Sequence, residues 1–159
     1  IKKKIKIGKK IKKICKKNKV KFIINDDPYL ALKLKADGCH LGQNDMSIDN
    51  ARKILKNKII GVTCHNSVKL AKKASLKKAS YIAIGAFYET KTKKVKYKAS
   101  LNTLKKIKKL VNTPVVAIGG INDKNYKKLL LNKGDFLAIS GYIWNNKKLR
   151  PYNAVKNLK

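Results

Sequence analysis

The sequence predicts an α/β fold on a parallel sheet and, within that class, a (β/α)8 barrel. Three observations carry this: six short apolar runs recur along the chain, helical patterns separate them, and polar or glycine residues follow nearly every run. Runs that are apolar throughout are buried on both faces and belong to a parallel sheet. The rival architecture is an open doubly wound sheet. Its dinucleotide-binding form is unsupported, because no Gly-x-Gly-x-x-Gly follows the first run. Polar residues at nearly all the strand ends instead fit a barrel's ring of active-site loops.

The first segment sets Ile7, Ile11, Ile14 and Cys15 at spacings of three and four, which makes an amphipathic helix with a lysine-rich outer face. Alone it resembles a membrane-surface or targeting helix. An apolar run over 20–24 follows within a few residues, so the segment reads as an outer helix of the domain. Strands are expected over 20–24, 38–41, 59–63, 81–85, 115–118 and 136–140. Helix starts are marked by Asp27 before Pro28, by Ser47, Ser67 and Ser100, and by Asn122 or Asp123. The helix from Val68 should bury Leu70, Ala71 and Ala74, and the one from Lys124 should bury Tyr126, Leu129 and Leu130.

The 159 residues, 43% of them hydrophobic, suffice for one domain over 1–159. No stretch approaches the ~18 apolar residues of a membrane span, and the start lacks a secretory signal's apolar centre, so a soluble, cytoplasmic chain is expected. Cys15, Cys39 and Cys64 are odd in number and far apart, which suits a reducing compartment. The net charge of +33 calls first for a nucleic-acid partner. Against it, Arg52 and Arg150 are the only arginines among 41 basic residues, whereas base and bidentate phosphate recognition prefers arginine. Lysine, isoleucine and asparagine abound everywhere, as a drift toward AT-rich codons produces. The charge can still gather anionic substrates.

With only 8 acidic residues in the chain, Asp26 after the first strand and Asp45 after the second stand out. Neighbouring strands lie about 4.8 Å apart, so two such carboxylates with Asn25 nearby can share one cation. Mg²⁺ takes few protein carboxylates and completes its octahedron with water and phosphate oxygens. The plainer alternatives are an N-cap at Asp27 and turn chemistry at Asn44-Asp45. Gly119-Gly120-Ile121 after the fifth strand and Ile139-Ser140-Gly141 after the sixth can present backbone N–H groups to a phosphate, although a tight turn also wants glycine. Thr90-Lys91-Thr92-Lys93-Lys94 supplies hydroxyls and ammonium groups at another strand end, and Thr63 adds a hydroxyl. Cys39-His40 and Cys64-His65 raise zinc, but successive strand residues face opposite ways, so each pair offers one ligand to a common point where a structural site wants four.

Taken together, Phe22-Ile23-Ile24-Asn25-Asp26, the run 36–45 (Ala-Asp-Gly-Cys-His-Leu-Gly-Gln-Asn-Asp), Ile60-Gly61-Val62-Thr63-Cys64-His65, Thr90-Lys91-Thr92-Lys93 and the run 114–121 resemble the thiamine phosphate synthase family in order and over almost the whole chain. The resemblance implies a Mg²⁺-dependent barrel enzyme that joins a hydroxymethylpyrimidine diphosphate to a thiazole phosphate and releases diphosphate. It implies that Asp26 and Asp45 hold Mg²⁺, and that Asn25, Thr63 and Lys93 contact the pyrimidine diphosphate. Thr90, Lys91, Thr92, Gly120, Ile139 and Ser140 would hold the thiazole phosphate. Thr63 and Lys93 are the residues it places nearest the chemistry, which is dissociative, the thiazole nitrogen capturing a pyrimidine-methyl cation. Thr63 stands where the family more often has serine.

The family's first two strands, with their Gln-x-Arg-x-Lys motif, have no counterpart here. The expectation is a fragment of a roughly 200-residue barrel, whose isolated activity is an open question. The alternatives are a thiazole tautomerase of the same fold, which would not need Asp26, Asp45 and Lys93, and a basic nucleic-acid-binding protein. Small phosphorylated molecules are the expected partners, with self-association compatible and no membrane partner.

Overall fold

The computed structural model describes every residue except Lys91, Lys93, Lys94 and Lys159. The chain gathers into two compact units, Ile1–Thr63 with Lys77–Ser80 and Cys64–Leu76 with Tyr81–Lys159. Six strands alternate with helices, and the pairings within each unit are parallel. Among the described residues no helix is long and apolar enough to cross a membrane.

The first unit runs α1 (Lys2–Lys17), β1 (Ile23–Asn25), α2 (Pro28–Lys33), β2 (Gly38–Leu41), α3 (Ile48–Leu55) and most of β3 (Ile59–His65). Ile24 is level with Cys39, and His40 with Gly61. Its core joins Ala31, Leu34, Leu41, Ala51, Leu55 and Ile60. Asp27 and Ser47 cap α2 and α3 as expected. Two expectations are corrected. Residues 20–24 do not form the first strand, because the Val20 N–H is spent on the Cys15 carbonyl at the end of α1, and the strand begins at Ile23. Nor does α1 bury its isoleucine stripe: Ile7, Ile11 and Ile14 are 48%, 43% and 62% exposed. Gly8 is the buried residue of α1, and a Cβ there would lie 2.4 Å from Leu34 Cδ1. At Gly8 the helix backbone packs against the Leu34 side chain, an approach that the smallest residue permits.

The second unit holds the end of β3, α4 (Val68–Leu76), β4 (Tyr81–Gly85), α5 (Leu101–Leu110), β5 (Val115–Ile118), α6 (Tyr126–Leu131), β6 (Phe136–Ala138), α7 (Gly141–Trp144) and α8 (Pro151–Lys156). Ile82, Ile84, Leu104, Ile107, Val115 and Leu129 form its core. Ser67 and Ser100 accept from the N–H three residues on, as caps do. Ala71 and Ala74 are buried, but Leu70 is only half-buried and Leu130 is 43% exposed. Neither Asn122 nor Asp123 caps α6. Asn122 Oδ1 instead accepts from Lys124 N in a local turn, and the helix starts after Asn125. The sixth strand ends at Ala138, not residue 140, because the Ser140 carbonyl already accepts from Ile143 and Trp144 in the turn that opens α7.

One device recurs where strands begin. The residue just before β2, β4 and β6 reaches back with its side chain to a backbone N–H: Asp37 to Phe22 (2.8 Å), Ser80 to Ile60 (3.1 Å) and Asp135 to Val115 (2.7 Å). Lys108 Nζ also donates to Asp135. A second device ends the helices. Lys19, Lys35, Lys56, Lys78 and Lys133 all have positive φ at or just after the ends of α1, α2, α3, α4 and α6. Glycine is the usual residue there, since a Cβ in the left-handed region costs about 1–2 kcal/mol.

Candidate functional site

Four of the eight acidic residues have structural posts: Asp27 caps α2, Asp37 and Asp135 hold strand starts, and Asp49 pairs with Lys77. Asp26 and Asp45 stand instead in the turns that directly follow β1 and β2. Asp26 follows β1 directly, is exposed, and has φ 67°, with its N–H bonded to the His40 carbonyl at 2.8 Å. That bond fixes the turn at the carboxyl end of β1 against β2. Asp45 closes the turn after β2, its Oδ2 accepting from Gly42 N at 2.7 Å.

The charges of both carboxylates are felt by one buried group. Cys39 is fully buried, and its thiol is pushed up to about 11, first by burial and then by the negative charges of Asp26, Asp27 and Asp45. Asn25, the last residue of β1, is exposed and level with His40. Thr63 is drawn in from β3, because its hydroxyl lies 2.8 Å from His40 Nε2 and its carbonyl accepts from Gln43 Nε2. Burial lowers the basicity of His40, and the carboxylate of Asp45 works in the opposite direction. The structure therefore brings Asn25, Asp26, Asp45 and Thr63 to one end of the first unit's strands.

Two exposed carboxylates offer hard oxygen donors, and no group of three or more His, Cys, Asp or Glu able to hold a metal occurs among the described residues. That donor set fits Mg²⁺, which leaves most of its octahedron to water and substrate oxygens, better than a metal wanting an all-protein cage.

In the second unit a turn built by backbone follows β5. Gly119 and Gly120 have φ 103° and 63°, and a Cβ on Gly120 would lie 2.2 Å from the Glu89 carbonyl oxygen. Tyr88 N donates to the Gly119 carbonyl (3.0 Å), and Asn125 Nδ2 donates to that of Gly120 (3.1 Å). The segment after β4 thus lies along the Gly-Gly turn and is closed at its base by Ala86 N to Tyr97 O (3.0 Å) and Ala99 N to Ala86 O (2.9 Å). Thr90 Oγ1 accepts from Thr92 N (3.2 Å), and Thr92 Oγ1 lies 2.9 Å from where a Cβ on Gly141 would stand. Thr90, Thr92, Gly120 and the Ile139-Ser140 turn are therefore neighbours. Lys91 and Lys93 lie outside the described residues.

Sequence reasoning missed His40 and Gln43. The sequence offers His40 only as a zinc ligand, and its register beside Gly61, from which Thr63 is two residues on, appears only once β2 and β3 are paired. It also missed the His65 and Tyr97 rings, whose centroids are 4.3 Å apart.

Residues 2–143 match the family model described as thiamine monophosphate synthase. The chain is 72% identical over 153 residues to the thiamine-phosphate synthase of Pelagibacter ubique, covering 96% of this chain and 74% of that protein. To the thiamine-phosphate synthase of Clostridium acetobutylicum it is 42% identical, with 89% and 67% covered. Its structure is similar to a solved thiamine phosphate pyrophosphorylase from Pyrococcus furiosus, with a TM-score of 0.90 and 31% identity, over 99% of this chain and 74% of that one.

Proposed function

This chain belongs to the thiamine monophosphate synthase family, and from that premise we propose how its residues carry the reaction. It is a transferase that condenses a hydroxymethylpyrimidine diphosphate with a thiazole phosphate to give thiamine phosphate and diphosphate. Its six parallel strands are read as the share of a (β/α)8 barrel that this chain contains.

The observation that carries the site reading is that Asp26 follows β1 with its N–H on the His40 carbonyl of β2 while Asp45 closes the turn after β2, so both carboxylates stand at the same end of two paired strands. These two carboxylates would hold Mg²⁺, which when bound neutralises charge on a leaving diphosphate. Asn25 and the Thr63 hydroxyl would hydrogen-bond the pyrimidine diphosphate, and Lys93, which lies outside the described residues, would balance the departing charge. The carbon–oxygen bond breaks with its electron pair going to diphosphate, and the thiazole nitrogen supplies the pair for the new carbon–nitrogen bond. No side chain needs to become covalently attached. In the second unit the thiazole phosphate is assigned to Thr90, Lys91, Thr92, Gly120, Ile139 and Ser140, with glycine allowing close approach to backbone donors.

The test supplies the purified protein with both substrates and follows thiamine phosphate with Mg²⁺ and after chelation. Product that disappears with the cation and returns on adding it back is expected. Isomerisation of the thiazole alone would make the protein a tautomerase, and product formed equally well under chelation would remove the metal role from Asp26 and Asp45.

A further inference from the structure

We propose that His40 is a positioning residue that fixes the Thr63 hydroxyl, with Gln43 fixing the same residue through its backbone. The proposal rests on the reading of Thr63 as a substrate-binding group given above.

The ladder sets His40 level with Gly61, and residues two apart on a strand share a face, so Gly61 and Thr63 look the same way. Gly61 carries no side chain, which leaves the His40 ring free to lean along β3 to the next residue on that face. There His40 Nε2 and Thr63 Oγ1 lie 2.8 Å apart, a hydrogen bond either group can donate. Gln43, three residues beyond His40, donates from Nε2 to the Thr63 carbonyl. The end of β2 and the turn after it therefore grip both oxygens of Thr63.

Without that grip a hydroxyl at a strand end rotates among staggered positions, and only one of them aims its free donor or lone pair at a substrate oxygen. The imidazole takes up one side of the hydroxyl and so determines what the other side offers. Threonine makes the arrangement stiffer than serine would, since its methyl group restricts χ1.

The experiment compares wild type, His40→Leu, Thr63→Val and the double variant, with His40→Gln as the conservative replacement that keeps a donor near the Nε2 position. Turnover, KM for the pyrimidine diphosphate, calorimetric binding of inorganic pyrophosphate with Mg²⁺, and thermal unfolding are measured on each. His40→Leu is expected to lower kcat by about tenfold, the order expected for one lost orienting hydrogen bond, with the unfolding temperature close to wild type. His40→Gln should recover most of that loss. In the Thr63→Val background, removing His40 should have no further effect. Equal losses in both backgrounds, or no recovery by glutamine, overturn the proposal. A wild-type protein that makes no thiamine phosphate overturns the functional reading instead, and the positioning role is then decided by whether the pyrophosphate affinities of the same proteins show this non-additivity.

Discussion

Five helices end on a lysine in the left-handed region, whereas the left-handed residues that close or follow strands are Asp26, His65, Gly119 and Gly120. Both sets answer the same backbone requirement. After the helices nothing else is asked of the residue, and lysine fills the position although glycine would be less strained. The lysine charge offsets part of that cost, because a cation near a helix C-terminus is favourable. After the strands the side chain, or its absence, has a second task. Asp26 brings a carboxylate to the end of β1, and Gly119 and Gly120 admit the backbone at 86–89. The composition thus runs unchecked where geometry alone matters and stops where chemistry does.

The largest expected effect separates the two tasks at Asp26. Asp26→Asn should lower kcat/KM by roughly 100-fold or more, about 2.7 kcal/mol of transition-state stabilisation, while the melting temperature stays near wild type. Asparagine tolerates the left-handed region, so only the charge is removed. Asp26→Ala should lose similar activity and, in addition, about 1 kcal/mol of stability. An asparagine variant with full activity would show that Asp26 serves only the turn.

Gly120→Ala should cost roughly 2–3 kcal/mol in denaturant unfolding, since the new Cβ meets the Glu89 carbonyl in a conformation alanine disfavours. A cost under about 0.5 kcal/mol would mean that the turn yields and that glycine is not required there.

A smaller effect tests the turns that enter strands. Asp135→Asn should cost about 1 kcal/mol at neutral pH, from a weakened charge-assisted bond to Val115 and a lost pairing with Lys108. Burial pushes the Asp135 carboxyl up, but the Lys108 ammonium and the Val115 N–H outweigh it, and the group ionises below its ordinary 3.8. A depressed folded value means its stabilisation is complete above the unfolded carboxyl range and is lost as pH falls through the lower folded value. The gap between wild type and variant should therefore close in acid, which melting curves against pH will show.

The smallest effects have the opposite sign. Lys35→Gly and Lys133→Gly should each stabilise by about 0.5–1 kcal/mol and leave turnover unchanged, because they relieve left-handed strain away from strand ends. Destabilisation on thermal melting would mean that these lysines contribute more through the helix dipole than they lose in strain.

Much of this contrast was legible in the sequence. Strands at 38–41, 81–85 and 115–118 were marked by apolar runs bounded by turn residues, and the observed bounds agree. Asp26 and Asp45 stood out because acids are rare in this chain. Three things were hidden. The isoleucine periodicity of α1 gave a face but not the packing of its backbone at Gly8 against Leu34. Asp37 and Asp135 look like turn residues until the register shows which N–H each one reaches. The bond from His40 to Thr63 spans 23 positions and exists only once β2 and β3 are aligned.

The buried thiol of Cys39 has a consequence for the donors that the first unit offers. A thiol beside carboxylates would, once ionised, be a soft ligand and a trap for zinc or copper. Held at about 11, it keeps its proton throughout the neutral range. Burial first, and the neighbouring carboxylates after it, keep that proton on sulfur, so the strand end presents oxygen donors rather than a thiolate.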